Sequence, residues 1–173
     1  CRKLLENRIN EHSILSETER YFFVRKNLEN LGLDSIKFQY DKLFAFYDTA
    51  TENDVHPQEL VNAISDEKQK ILALSYLKYR ELLDKLGKFD YAKLQQEAFH
   101  LLRRDNATCS RWQNTFQYIL VDEYQDTNPI QDAIIRLIVS PKNRITVVGD
   151  ENQSIYGFRG ASLENFRRFD RKY

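Results

Sequence analysis

Residues 116–161 read FQYILVDEYQDTNPIQDAIIRLIVSPKNRITVVGDENQSIYGFRGA, and this stretch decides the fold. It holds two short apolar runs, each ending in acid, with an amphipathic segment between them. Tyr118 to Val121 is aromatic and β-branched, has the length of a strand, and stops at Asp122 and Glu123. Asn128-Pro129-Ile130-Gln131 predicts a helix start. The Asn side chain accepts orphan backbone N–H groups, Pro fits the first helical position, and Gln three residues past the cap reaches back. Ile130, Ile134, Leu137 and Ile138 supply an apolar face until Pro141 ends the helix, and Ile145 to Val148 reads as a second buried strand closed by Gly149-Asp150. The predicted unit is strand, helix, strand, most simply a right-handed parallel crossover with polar residues beyond the carboxyl ends of both strands. Open α/β sheets bind their ligands there.

The acidic pair is the first chemical clue. A hydrophobic strand delivering Asp-Glu at its tip resembles a Walker B element, in which the Asp orders the water shell of Mg²⁺ and the Glu polarises the water that attacks a γ-phosphate. Mg²⁺ takes few carboxylates and several waters, so one Asp at a strand tip suits it better than a cage of acids. On spacing alone the pair reads more readily as a solvated strand end, since isolated acidic pairs are common.

VDEYQDTN at 121–128, followed by VVGDENQSIYGFRGA at 147–161, resembles the second and third motifs of the UvrD/Rep family of superfamily 1 DNA helicases. Two long motifs in the right order, separated by one crossover helix, make the likeness specific. It is strongest over 116–169. Upstream, Tyr76-x-x-Tyr79 and Phe89-Asp90-Tyr91 to Leu94 are similar to the helical stretch that precedes the acidic motif in these enzymes, with Ala92 and Lys93 standing where many relatives carry acids.

The resemblance implies roles for matching positions. Asp122 would hold Mg²⁺, Glu123 would be the base for water, and Gln153 would sense the γ-phosphate of ATP and pass its loss to the DNA site. Tyr156, Phe158 and Arg159 would lie toward single-stranded DNA, with Phe158 where relatives often carry Trp; both are flat stacking platforms. By spacing alone Tyr156 and Phe158 are as readily packing residues. The implied fold is α/β: a mostly helical subdomain over 1–112, inserted into a RecA-like P-loop NTPase domain, then part of that domain over 113–173 with its parallel β-α-β unit. The implied protein is an ATP-dependent helicase or translocase of DNA repair, using ATP and Mg²⁺ on single-stranded DNA and duplex junctions. It would work in the cytoplasm, or at the nucleoid in a bacterium. The same motifs also occur in helicase-nucleases and would persist in a degenerate module that binds proteins; an unrelated acid-pair hydrolase would need more metal ligands than Asp122 and Glu123.

Composition agrees with a soluble globular chain, at 42% hydrophobic and 30% charged over 173 residues. The 26 basic and 26 acidic residues cancel, so a general basic field for nucleic acid is absent and DNA contact falls to local clusters such as Arg103-Arg104 and Arg167-Arg168. Cys1 and Cys109 make no disulfide framework, and no apolar run reaches membrane-spanning length. His12, His56 and His100 lack Cys or acidic partners at metal-ligand spacing and read as surface or capping residues.

Before the crossover the pattern is helical. Ser16-Glu17-Thr18-Glu19 is a capping box, and Tyr21, Val24, Leu28 and Leu31 recur until Gly32. Asp34 or Ser35 is expected to cap a segment with an aromatic face of Phe38, Phe46 and Tyr47, read as core. His56-Pro57 begins a short helix. Ser65 is expected to cap a long one with Leu72, Tyr76, Tyr79, Leu83 and Leu86 on one face, and Gly87 ends it. Asp90 opens the next, with Tyr91, Leu94, Ala98, Leu101 and Leu102 repeating, and 103–115 reads as a hinge.

The chain contains no methionine and no Gly-Lys-Ser/Thr phosphate loop, since Gly87-Lys88 runs into Phe89. A two-stranded parallel sheet also leaves both edges unpaired. These features predict an internal piece of a longer enzyme that lacks half of the ATP site. Without the backbone cradle and lysine that meet the β- and γ-phosphates, this 173-residue chain should not bind ATP tightly. Calorimetry with ATP and Mg²⁺ is expected to show no micromolar site, and such a site would refute the reading.

Overall fold

The computed structural model describes residues 1–5, 13–141, 144–150 and 169. By compactness the chain divides into Cys1–Leu94 and Gln95–Tyr173. The first unit is helical. Helix α1, Glu17–Lys26, opens on the expected capping box, with Ser16 Oγ accepting the Glu19 N–H and Glu19 accepting the Ser16 N–H at 2.8 Å. One further turn, α2 (Leu28–Leu31), ends at Gly32, whose φ of 70° belongs to the left-handed region where glycine has no Cβ to clash. Helix α3, Tyr40–Glu52, begins later than Asp34 or Ser35 would set it: Gln39 is its cap residue. Its entry is fixed by packing instead, with the Phe38 and Tyr40 rings 5.0 Å apart.

His56 caps α4 (Pro57–Ala63), its Nδ1 accepting the Gln58 N–H, and Pro57 takes the first helical position. The long helix α5, Glu67–Lys85, is capped by Asp66, which accepts the Gln69 N–H at 2.9 Å, one residue beyond Ser65. Gly87 follows in the left-handed region, and α6 runs Tyr91–Arg104 with Asp90 accepting the Lys93 N–H. The core of this unit collects Val24, Leu31, Leu33, Leu43 and Leu83 around three fully buried tyrosines, Tyr47, Tyr76 and Tyr79. Tyr47 stacks on Tyr79 at 4.9 Å, so the aromatic face does serve as core. Leu86 and Tyr91 do not join it, at 52% and 56% exposure. Each sits at a helix end, where the apolar stripe runs past the last packed turn.

Within this core lies a charge. The Arg20 guanidinium on α1 meets Asp48 on α3 at 2.8 and 3.0 Å, Asp90 at 3.4 Å and the Tyr79 hydroxyl at 3.1 Å. Tyr79 in turn donates to Asp90 at 2.8 Å, and the guanidinium lies 4.6 Å from the Phe44 ring centre. Burial works against the Arg20 charge, but Asp90, Tyr79 and Asp48 outweigh it and hold the group above its ordinary range. Burial, then Asp90, raises the Tyr79 phenol well above its usual value, which keeps it a donor.

The second unit contains helix α7 (Asn106–Thr115), strand β1 (Tyr118–Val121), a 3-10 turn (Tyr124–Asp126), helix α8 (Pro129–Ile138) and strand β2 (Arg144–Val147). The strands pair in parallel, Tyr118 opposite Arg144 through Val121 opposite Val147, as the crossover pattern predicts. A mostly helical region followed by a small parallel sheet fits part of a P-loop NTPase domain. The 103–115 stretch is helical rather than an open hinge. Asp105 caps it by accepting from the Thr108 N–H and hydroxyl, and α7 buries no residue, which is why no apolar stripe announced it.

Arg20→Ala strands two carboxylates in the first core, and should cost about 3–5 kcal/mol, the scale for breaking a buried ion pair. Tyr79→Phe removes only the hydroxyl between Arg20 and Asp90 and should cost about 1–3 kcal/mol. Urea denaturation reads both, and equal, negligible losses would refute the network. A pH dependence follows from the caps. Hydrogen bonds from Thr108 and Ser16 hold the Asp105 and Glu19 carboxyls below their ordinary values. Their contribution is therefore present above the carboxylate range of about 4 and lost as the pH falls through the lower folded values; melting temperature against pH checks the sign.

Candidate active site

The acids stand where the two strands end. The β1–β2 ladder continues past the last paired residues, since Val148 N–H donates to Val121 O at 2.8 Å and Tyr124 N–H donates to Val148 O at 2.9 Å. Asp122 and Glu123 are squeezed between these two bonds and turn outward, both exposed. Glu123 takes φ 50° and ψ 43°, a left-handed conformation costly for a residue with a Cβ, and its N–H donates to Asp122 Oδ1 at 3.0 Å. The chain therefore presents two adjacent carboxylates at one strand tip from a constrained backbone.

The base beneath them is rigid. Tyr124 is fully buried and donates its hydroxyl to Asp132 on the first turn of α8, and Asp132 also meets Arg136 at 3.3 Å. Thr127 Oγ1 donates to Tyr124 O at 2.6 Å. Asn128 and Gln131 form the expected reciprocal cap of α8, and the Asn128 amide donates to Gln95 Oε1 at 3.0 Å. Gln125 is 1% exposed. Its amide nitrogen donates to Glu123 Oε2 at 2.6 Å, and its oxygen accepts the Asp150 N–H at 3.1 Å. The end of β1 and the exit from β2 thus share one buried amide.

Asp122 and Glu123 are brought to one edge with Asp150, as the crossover pattern required. Gln153, Tyr156, Phe158 and Arg159 lie outside the described residues, as do Arg167-Arg168 and His12. The sequence reading did not single out Tyr124, Gln125, Thr127 or Asp132. Buried polar residues leave no periodic trace; the signal available was a run of mostly polar residues, 122–128, directly after a strand and holding a single aromatic, Tyr124. Among the described residues no three or more His, Cys, Asp or Glu side chains gather as a metal cage. Asp122 offers an exposed hard oxygen donor at the strand tip, the type Mg²⁺ takes together with water. A cavity of about 460 Å³ in the first unit, lined by Phe38, Lys42, Lys68 and Ile71 among others, includes none of the candidate residues.

Comparison with known proteins gives this arrangement its family. The model of the UvrD/REP helicase N-terminal domain matches residues 2–173. The ATP-dependent DNA helicase PcrA of Staphylococcus aureus strain Mu50 is 32% identical over 162 residues, covering 93% of this chain and 22% of that protein. PcrA of Staphylococcus epidermidis is 31% identical over 162 residues, with the same coverage of 93% and 22%. A protein of Mycoplasma capricolum subsp. capricolum named "Probable DNA helicase II homolog" is 35% identical over 119 residues, 69% of this chain and 16% of its own length. The chain thus spans about a fifth of the length of the curated relatives it matches. With the family model matching nearly every residue and the acidic pair standing at the tip of a parallel strand, the chain belongs to the UvrD/REP helicase family.

Proposed function

We propose that this chain supplies the water-activating half of an ATP-driven motor that moves on single-stranded DNA. The observation that carries the reading is the pair Asp122–Glu123, exposed side by side at the end of β1 from a backbone held at positive φ. Asp122 is the hard oxygen donor for Mg²⁺ and its waters. The bound ion supplies charge neutralisation at the phosphates. Glu123 accepts a proton from the attacking water, and its constrained backbone fixes where that water sits. Gln153, three residues beyond Asp150, is the sensor of the γ-phosphate, and Tyr156, Phe158 and Arg159 face the DNA strand; these roles rest on the motif likeness at 147–161.

The whole protein is an ATP-dependent helicase or translocase, with single-stranded DNA and duplex junctions as its track and DNA repair as its setting. Residues 1–112 act as the inserted helical subdomain and 113–173 as part of the motor domain. No helix among the described residues is long and apolar enough to cross a membrane. The proposed place of work is the cytoplasm, at the nucleoid in a bacterium. Binding to DNA is sequence-tolerant, because phosphates and base faces are alike at every step.

Two substitutions in the full-length protein separate the halves of this mechanism. Glu123→Gln keeps the shape and removes the base, so ATP still binds while hydrolysis falls by roughly 10² or more. Retained hydrolysis would sink the assignment. Phe158→Ala deletes a stacking platform worth about 1–3 kcal/mol per base. It should weaken single-strand affinity and leave hydrolysis without DNA nearly unchanged. A packing role predicts instead a cavity loss of about 3–5 kcal/mol and failure in every assay, so thermal melting on the same preparation decides.

A further inference from the structure

We infer that Gln125 is the positioning residue of this site: its buried amide sets the Glu123 carboxylate according to where the backbone leaving β2 lies. The inference rests on Glu123 being the base, as proposed above. Gln125 is 1% exposed, yet both ends of its amide are used, at 2.6 Å to Glu123 Oε2 and 3.1 Å to the Asp150 N–H. The chemistry of the partners fixes the orientation of the amide. An ionised carboxylate only accepts and a backbone N–H only donates, so turning the amide over would set oxygen against oxygen and hydrogen against hydrogen.

The anchorage of Gln125 makes this bridge consequential. It lies in the 3-10 turn Tyr124–Asp126, which is closed by Asp126 N–H to Glu123 O at 2.9 Å and Thr127 N–H to Tyr124 O at 3.1 Å. Tyr124 on one side is tied to both Val148 and Asp132. The turn is therefore fixed to the end of the β1–β2 ladder and to α8, and a displacement confined to Asp150, beyond Val148, has to be met by the side chain of Gln125. If the backbone at Asp150 shifts by about an ångström, one of the two bonds is lost, because a hydrogen bond weakens steeply outside its narrow distance range. Asp150 leads directly into Glu151-Asn152-Gln153. The carboxylate is thus held in one place only while the backbone at Asp150 keeps one position. Carboxylate placement and the position of the β2 exit become a single variable. A neutral amide is suited to this, since it donates to the acid without adding a second charge beside it.

The test uses the full-length protein that carries this chain, with ATP and Mg²⁺, in the presence and absence of an oligothymidine strand. Gln125→Met keeps the side-chain length and removes both bonds. Gln125→Asn keeps a neutral amide that is one methylene too short to span both partners. Both should lower kcat by roughly 10–100-fold, the scale found for groups that orient a reacting group. KM for ATP should stay within about 2-fold, because a group acting only on the chemical step leaves substrate binding alone. In a Glu123→Gln background neither change should lower the residual rate further, since Gln125 acts through the residue already removed.

The outcomes separate the two claims. Hydrolysis that survives Glu123→Gln ends the reading of Glu123 as base, whatever Gln125 does. Hydrolysis abolished by Glu123→Gln but running at the parental kcat in folded Gln125→Met and Gln125→Asn overturns the positioning role alone. So does a further loss on top of Glu123→Gln, which would mean that Gln125 acts elsewhere. Melting curves accompany every variant. If Gln125→Met does not fold, Gln125→Asn carries the decision, because it keeps a neutral hydrogen-bonding amide in the buried site.

Discussion

The helical unit is built around a cation that burial alone would expel. Arg20 has almost no access to water, and its desolvation is offset only because Asp48, Tyr79 and Asp90 reach it together from α3, α5 and the entry to α6. Apolar residues would have filled that space with less electrostatic risk, and buried ion pairs are often weaker contributors than packing. What the charge supplies is geometry. A planar guanidinium donates its hydrogen bonds only in its own plane, so α1, α3, α5 and the start of α6 are restricted to an arrangement that satisfies it. Leucines and tyrosines around it provide the burial, but would tolerate several registers.

The same division between burial and geometry recurs in the second unit. Two strands and α8 give a small apolar layer, while Tyr124–Asp132 and the Gln125 bridge decide where the acids point. The positive φ at Glu123 costs conformational energy that the surrounding hydrogen bonds offset. A relaxed backbone there would direct the carboxylate elsewhere, so local strain and site geometry are one property.

Much of this was legible in the sequence because it rests on local rules. The Ser16–Glu19 and Asn128–Gln131 boxes, Pro57 at its helix start and the parallel pairing of 118–121 with 144–147 all follow from residue types at fixed offsets. What was not legible depends on tertiary context. α7 has no apolar stripe because it buries nothing, and α3 is started by packing of Phe38 on Tyr40 instead of by a capping side chain. Nothing in the residue pattern distinguishes Arg20 from the other charges of α1. Within the candidate site, Asp122 and Glu123 were evident from the strand that ends in them, and Gln125 was not, since nothing in a pattern distinguishes a buried amide from a solvated one.

The sheet carries one more consequence, for the behaviour of many copies together. Tyr118 and Leu120 are exposed at alternating positions of β1, Leu120 at 76%, and Val148, just past β2, is exposed beside them. Such a row, beside strand edges with backbone groups available for pairing, is a template for intermolecular β-association. A formal charge of zero removes the long-range repulsion that keeps copies of many proteins apart at neutral pH. Among the described residues this stripe is one determinant of colloidal stability near pH 7, and a lysine at position 120 would interrupt it without entering either core.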